Sequence, residues 1–166
     1  LIYSFVSLPM VALYTNYTII TAKMEGLVSA TFNSTWGAIG NLIAEGNKKN
    51  ILKVFRELLS IRLFIAPIIA ACIYKFLSTF IILWLGQDFV LPNNIIIIIA
   101  ILSALNIVRG IIDQFIYGCG IFADIWAPYA ESSIMVIFAI AGGNLWGLPG
   151  VLCGPLVSTI SIIYIW

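Results

Sequence analysis

Hydrophobic residues run along this chain in blocks of helical length, separated by short stretches rich in glycine, proline and polar side chains. Residues 10–45, 63–85, 94–117, 125–141 and 148–166 read as five helical spans. The second is long enough to cross a bilayer core of about 30 Å. Pro9 sets off a short apolar tail, and Gly46 is placed to end the first span as a left-handed cap. Pro67 and Pro155 fall early in the second and fifth spans, and Pro128 in the first turn of the fourth, where it costs little. Stretches around Gln87, at 118–124 and at 142–147 read as loops. Residues 51–61 are amphipathic. Ile51, Val54, Phe55, Leu58 and Leu59 share one face, with Lys53, Arg56 and Glu57 elsewhere. That pattern predicts a helix lying in a membrane interface.

The first and third spans carry a second pattern. Thr18, Thr21, Ala22, Glu25, Ser29, Asn33 and Gly40 fall within one arc of about 120° at helical spacing. Ser103, Asn106, Arg109, Gly110, Asp113 and Tyr117 do the same in the third span. A helix with one polar, small-residue stripe packs in a bundle or lines a wet cavity.

Composition changes what can solvate these helices. Of the 166 residues, 62% are hydrophobic and 9% charged, against about 25% charged in a soluble domain. The expected fold class is therefore all-α, a polytopic transmembrane helix bundle with about five main membrane helices. The chain begins at Leu1 without a basic leader and ends at Trp166 in an apolar run, which reads as an internal piece of a longer protein. Lys48, Lys49, Lys53, Arg56 and Arg62 cluster between the first two spans, and the other connections hold no Lys or Arg. By the positive-inside rule, Lys48–Arg62 is cytoplasmic and the loop at Asp88 lies outside. Trp84, Trp126 and Trp146 stand at span ends, as interfacial anchors do.

Candidate chemistry is confined to charges at membrane depth. The net charge of +1 gives no reason to expect nucleic acid as a partner. There is no His, so a Ser-His-Asp or Cys-His arrangement is excluded within this stretch. Neither a P-loop nor a dinucleotide fingerprint occurs. Cys72, Cys119 and Cys153 lie far apart among apolar residues and read as small buried hydrophobes. The expectation is no enzyme, no cofactor and no metal. Lys23, Glu25, Lys75, Arg109, Asp113 and Glu131 fall inside the spans, where an Arg or Lys costs about 2.5–3.5 kcal/mol. They point to an interior polar cavity, with Lys75 free to snorkel outward. A plain structural pair of Arg109 and Asp113, four residues apart, is the competing reading. On the cavity reading, Arg109 grips phosphate oxygens through its forked guanidinium. Asp113 is then its partner one turn away, and Asn106 and Gly110 share its face.

Five strings in order resemble the bacterial polysaccharide flippases. They are Ala38–Asn47, Trp84-Leu-Gly, Arg109 with Asp113-Gln-Phe, Gly120 to Glu131, and Trp146-Gly-Leu-Pro-Gly-Val-Leu-Cys-Gly. These flippases are Wzx-like exporters of lipid-linked oligosaccharide, related to the MATE and MurJ transporters. Ser132-Ser-Ile-Met-Val and Gly154-Pro155 depart from the family pattern. The resemblance implies a lobe of a larger two-lobed transporter in the bacterial cytoplasmic (inner) membrane, multi-pass, with this chain from the C-terminal lobe. Its implied substrate is undecaprenyl-diphosphate-linked oligosaccharide for O-antigen, capsule or exopolysaccharide. Its implied partners are membrane lipid, a coupling ion, and the glycosyltransferases and polymerase of the same pathway. A MATE-type cation-coupled antiporter would share the architecture but needs carboxylates for cations, and basic residues within the spans lean toward an anionic substrate. A membrane-embedded polymerase or ligase is expected to carry a large polar outer loop, and the outer connections here are short. A passive structural subunit leaves the striped helices unexplained.

Overall fold

The structure, a computed structural model, describes residues 7–120 and 126–165. Among them it is all-helical, with six α-helices and no strand. The helices are α1 (Leu8–Phe32), α2 (Thr35–Ala44), α3 (Lys48–Leu85), α4 (Asn93–Gly118), α5 (Trp126–Trp146) and α6 (Leu148–Ile165). A 3-10 turn at Gln87–Phe89 joins α3 to α4. The tail before Ser7 and the 121–125 part of the expected third connection lie outside the described residues.

The expected first span, 10–45, is two helices rather than one. At Asn33 and Ser34 the backbone ladder tightens to three-residue spacing, with the Asn33 amide on the Ala30 carbonyl and the Trp36 amide on that of Asn33. The Thr35 hydroxyl donates to the Phe32 carbonyl at 2.6 Å. Three consecutive short polar residues compete locally for backbone partners, and the helix breaks there. Gly46 ends α2 at φ +72°, as expected. The Asn47 side chain then caps α3 by accepting from the Asn50 amide at 3.3 Å.

The amphipathic stretch 51–61 is helical, and it is continuous with the following span rather than separate. It is the first part of α3, which runs unbroken for 38 residues. Its apolar face packs in part on protein: half-buried Ile51, Val54, Phe55, Leu58 and Leu59 lie against buried Ile39 of α2 and Ile111 and Phe115 of α4. Phe55 meets Phe115 edge to face, ring centres 5.1 Å apart. A second cluster lies toward the other end of α4. It joins Tyr17 of α1, Ile73, Leu77 and Ile81 of α3, Ile95, Ile96 and Ile99 of α4, and Leu148 and Leu152 of α6. Buried Tyr17 fixes the turn before α4 by accepting a hydrogen bond from the Leu91 amide at 3.1 Å.

The expected loop 142–147 shrinks to one residue, Gly147, at φ +62°. Helix α5 continues to Trp146 beyond the expected end at 141. The glycines expected to make a loop serve instead a close crossing: a side-chain carbon on Gly142 would strike the Gly150 backbone, and the reverse. α5 and α6 thus form a tight antiparallel hairpin, the most extensively packed pair in the fold. Cys119, expected to be buried, is exposed at the end of α4. Helices α3 and α4 are long and apolar enough to cross a membrane. Large apolar side chains on α3 and α5, among them Phe64, Leu83, Ile137 and Trp146, point outward.

Candidate functional site

The two polar stripes read from the sequence face one another. Between α1, α4 and α6 lies a cavity of about 280 Å³. Thr18, Thr21 and Glu25 come from α1, Ser103 and Asn106 from α4, and Pro155 and Thr159 from α6. The Asn106 amide donates to Glu25 at 3.4 Å, joining α1 to α4 across the space. Thr18 and Thr21 donate their hydroxyl protons back to carbonyls of their own helix, Thr15 and Thr18. What they turn to the cavity is therefore lone pairs. The Ser103 hydroxyl is buried and, among the described residues, has no hydrogen-bond partner. Among the described residues, no Lys or Arg lines the cavity. Ser29 and Asn33, further along the α1 stripe, are exposed and lie outside the lining.

One turn past Asn106 the α4 stripe turns from neutral to charged. Arg109 forks onto Glu131 of α5, Nη1 to Oε1 and Nη2 to Oε2, the latter at 2.8 Å. Its Nε stands 3.5 Å from Asp113. The expected Arg109–Asp113 pair is thus present, but Glu131 is the stronger partner, since the bidentate geometry satisfies two donors at once. Arg109 is outside the cavity lining. A second guanidinium completes the group. Arg62 of α3 is buried, donates to the Ile107 carbonyl at 2.9 Å and lies 4.6 Å over the Phe32 ring. Among the described residues its Nε has no partner. Gly110 makes room for it: a side-chain carbon there would strike Arg62 Nη1.

Of the expected site residues, Glu25 and Asn106 line the cavity, and Arg109, Asp113 and Glu131 form the cluster beside it. Lys23 is exposed on α1. Lys75 is exposed on α3 with its ammonium 5.5 Å from the Tyr74 ring. Neither joins the cavity or the cluster. Sequence reasoning placed Arg62 at a span entrance and missed its burial; Gly110, the one residue without a side chain in the α4 stripe, was the available sign. The contribution of α6 to the cavity had no sign, because its polar residues Ser158, Thr159 and Ser161 form no stripe like those of α1 and α4. Among the described residues no group of side chains is arranged to hold a metal ion. Compared with known protein families, characterised proteins and solved structures, the chain shows no match.

Proposed function

We propose that this chain is part of a multi-pass transporter of the bacterial cytoplasmic membrane that flips a lipid-linked oligosaccharide. The observation that carries the reading is the polar cavity between α1, α4 and α6 in a chain whose outward side chains are largely apolar. A carboxylate, an amide, a tyrosine and several hydroxyls line it, groups that pair with sugar hydroxyls. Outward-facing Phe64, Leu83, Ile137 and Trp146 suit lipid and not water. In this reading Arg109 engages the diphosphate and Asp113 holds its side chain. The charge cluster lies one turn from the cavity, as a diphosphate lies next to its first sugar.

The test is transport by the protein in inverted membrane vesicles, using a fluorescent lipid diphosphate oligosaccharide. Glu25→Ala and Arg109→Lys should each abolish translocation while the protein still accumulates in the membrane. Wild-type rates from both variants would refute the reading.

One observation favours a second reading, a cation-coupled antiporter. Among the described residues the lining offers a carboxylate and lone pairs and no basic side chain, which suits a cation. Uptake of an organic cation driven by a sodium or proton gradient, lost in Glu25→Gln, would support it over the flippase.

A further inference from the structure

The α5–α6 hairpin is held to the rest of the fold in an uneven way. At one end Leu148 and Leu152 of α6 are buried in the cluster with Ile95, Ile96 and Ile99 of α4. Midway, Pro155 and Thr159 of α6 wall the cavity. Helix α5 packs on α6 and makes few backbone approaches to α4. Among the described residues, α5 is tied to α4 by the side-chain fork between Arg109 and Glu131. The hairpin itself is stiff, because the Gly142–Gly150 crossing brings the two backbones together. α6 packs directly on α4, whereas α5 reaches α4 through this fork, so the fork is the link by which a charge change can act on the α5 side of the hairpin.

The tie has the chemistry of a ligand site already filled. A carboxylate meeting two parallel guanidinium donors is also how a phosphate oxygen pair meets an arginine. With Arg62 lying against Gly110, one turn before Asp113, the two arginines Arg62 and Arg109 balance the carboxylates Asp113 and Glu131. Removing Glu131 leaves one positive charge in excess, with Asp113 still beside Arg109 at 3.5 Å. Side-chain exposures of 27% for Arg109 and 18% for Glu131 leave the pair reachable.

We propose that Glu131 is an internal stand-in for a phosphate-type oxyanion at Arg109, and that displacing it unlatches the α5–α6 hairpin from α4. The idea builds on the flippase reading, in that the diphosphate of the carrier would be the displacing anion. Binding and opening are measured without transport, so the two fail separately.

The experiment places spin labels at Leu63 and Tyr129, both exposed, in the purified full-length protein with Cys72, Cys119 and Cys153 replaced by alanine. The inter-label distance is measured in lipid nanodiscs, with inorganic pyrophosphate as the probe. Wild type should give a short distance that shifts to longer values with pyrophosphate and not with sodium chloride of equal ionic strength. Glu131→Gln and the double variant Arg109→Gln/Glu131→Gln should show the long distance without any anion. Glu131→Gln should respond to pyrophosphate at lower concentration, read as quenching of a nearby fluorophore, and the double variant not at all. Monodisperse elution of both variants certifies that they fold. An unchanged distance in Glu131→Gln overturns the latch. A wild-type distance indifferent to pyrophosphate, or equally sensitive to chloride, overturns the oxyanion site.

Discussion

Replacing Gly110 with alanine should destabilise the protein, although helix propensity alone says the reverse. In a helix interior, Gly→Ala normally gains about 1 kcal/mol. Here the new methyl would occupy the place of Arg62 Nη1. The guanidinium is the far end of a flexible side chain and will move, but its position is what satisfies it. Moving it gives up the charged hydrogen bond to the Ile107 carbonyl, worth about 1.5–3 kcal/mol. It also gives up the stacking on Phe32, worth about 1–2 kcal/mol where water is excluded. Set against the propensity gain, the net loss is about 1.5–4 kcal/mol. For a chain of this size that is a fall of roughly 3–16 °C in Tm. The assay is thermal unfolding in detergent followed by size-exclusion chromatography, run also in an Arg62→Leu background. There the methyl meets no guanidinium, and Gly110→Ala should leave Tm unchanged or raise it. A Tm unchanged by Gly110→Ala in the Arg62 protein, or an equal fall in both backgrounds, would refute the argument.

Tyr17→Phe should cost about 1–3 kcal/mol, because the buried Leu91 amide loses its acceptor; an unaltered Tm would show that the hydroxyl is not holding the turn before α4. Phe115→Ala should cost about 3–5 kcal/mol and speed amide exchange across Ile51–Leu59, whose apolar face rests on it. If exchange there is indifferent to Phe115, lipid rather than protein covers that face. A cysteine placed at Asp88 should react with an impermeant maleimide in intact cells, and one at Lys49 only after permeabilisation, in a cysteine-free background; the opposite pattern would invert the orientation set by the basic cluster.

What the sequence made legible was whatever a single helix encodes. The stripes on α1 and α4 were visible as periodicities, and Glu25 and Asn106 do meet across the cavity. The i,i+4 spacing of Arg109 and Asp113 was enough to foresee their pairing. Contacts between helices left no such trace. Glu131 lies 22 residues from Arg109 on another helix, and no period connects them. The apolar face of Ile51–Leu59 was legible, but its cover was not, since the same face suits a lipid interface or a neighbouring helix. Short α2 supplies that cover through Ile39 and Ile43, and its existence depended on a break at Asn33 that the polar stripe concealed. Glycine misled at 142–147 for a related reason. It marks both a turn and a close crossing, and only the partner, Gly150, says which.

The length of α3 has a mechanical consequence. Thirty-eight residues at helical rise make a rod of about 57 Å, nearly twice a bilayer core. One end carries the basic surface of Lys48, Lys49, Lys53 and Arg56, and the other reaches Trp84. A rod of that length is a lever: a tilt of about 10° at one end moves the other by roughly 10 Å. The interior proline, Pro67, lacks the amide that would tie it to the preceding turn, so it is the natural place for the lever to flex. Arg62 sits just over one turn from that point and grips α4 through Ile107. A force on the basic end would therefore reach the charged cluster as a pull on a single arginine.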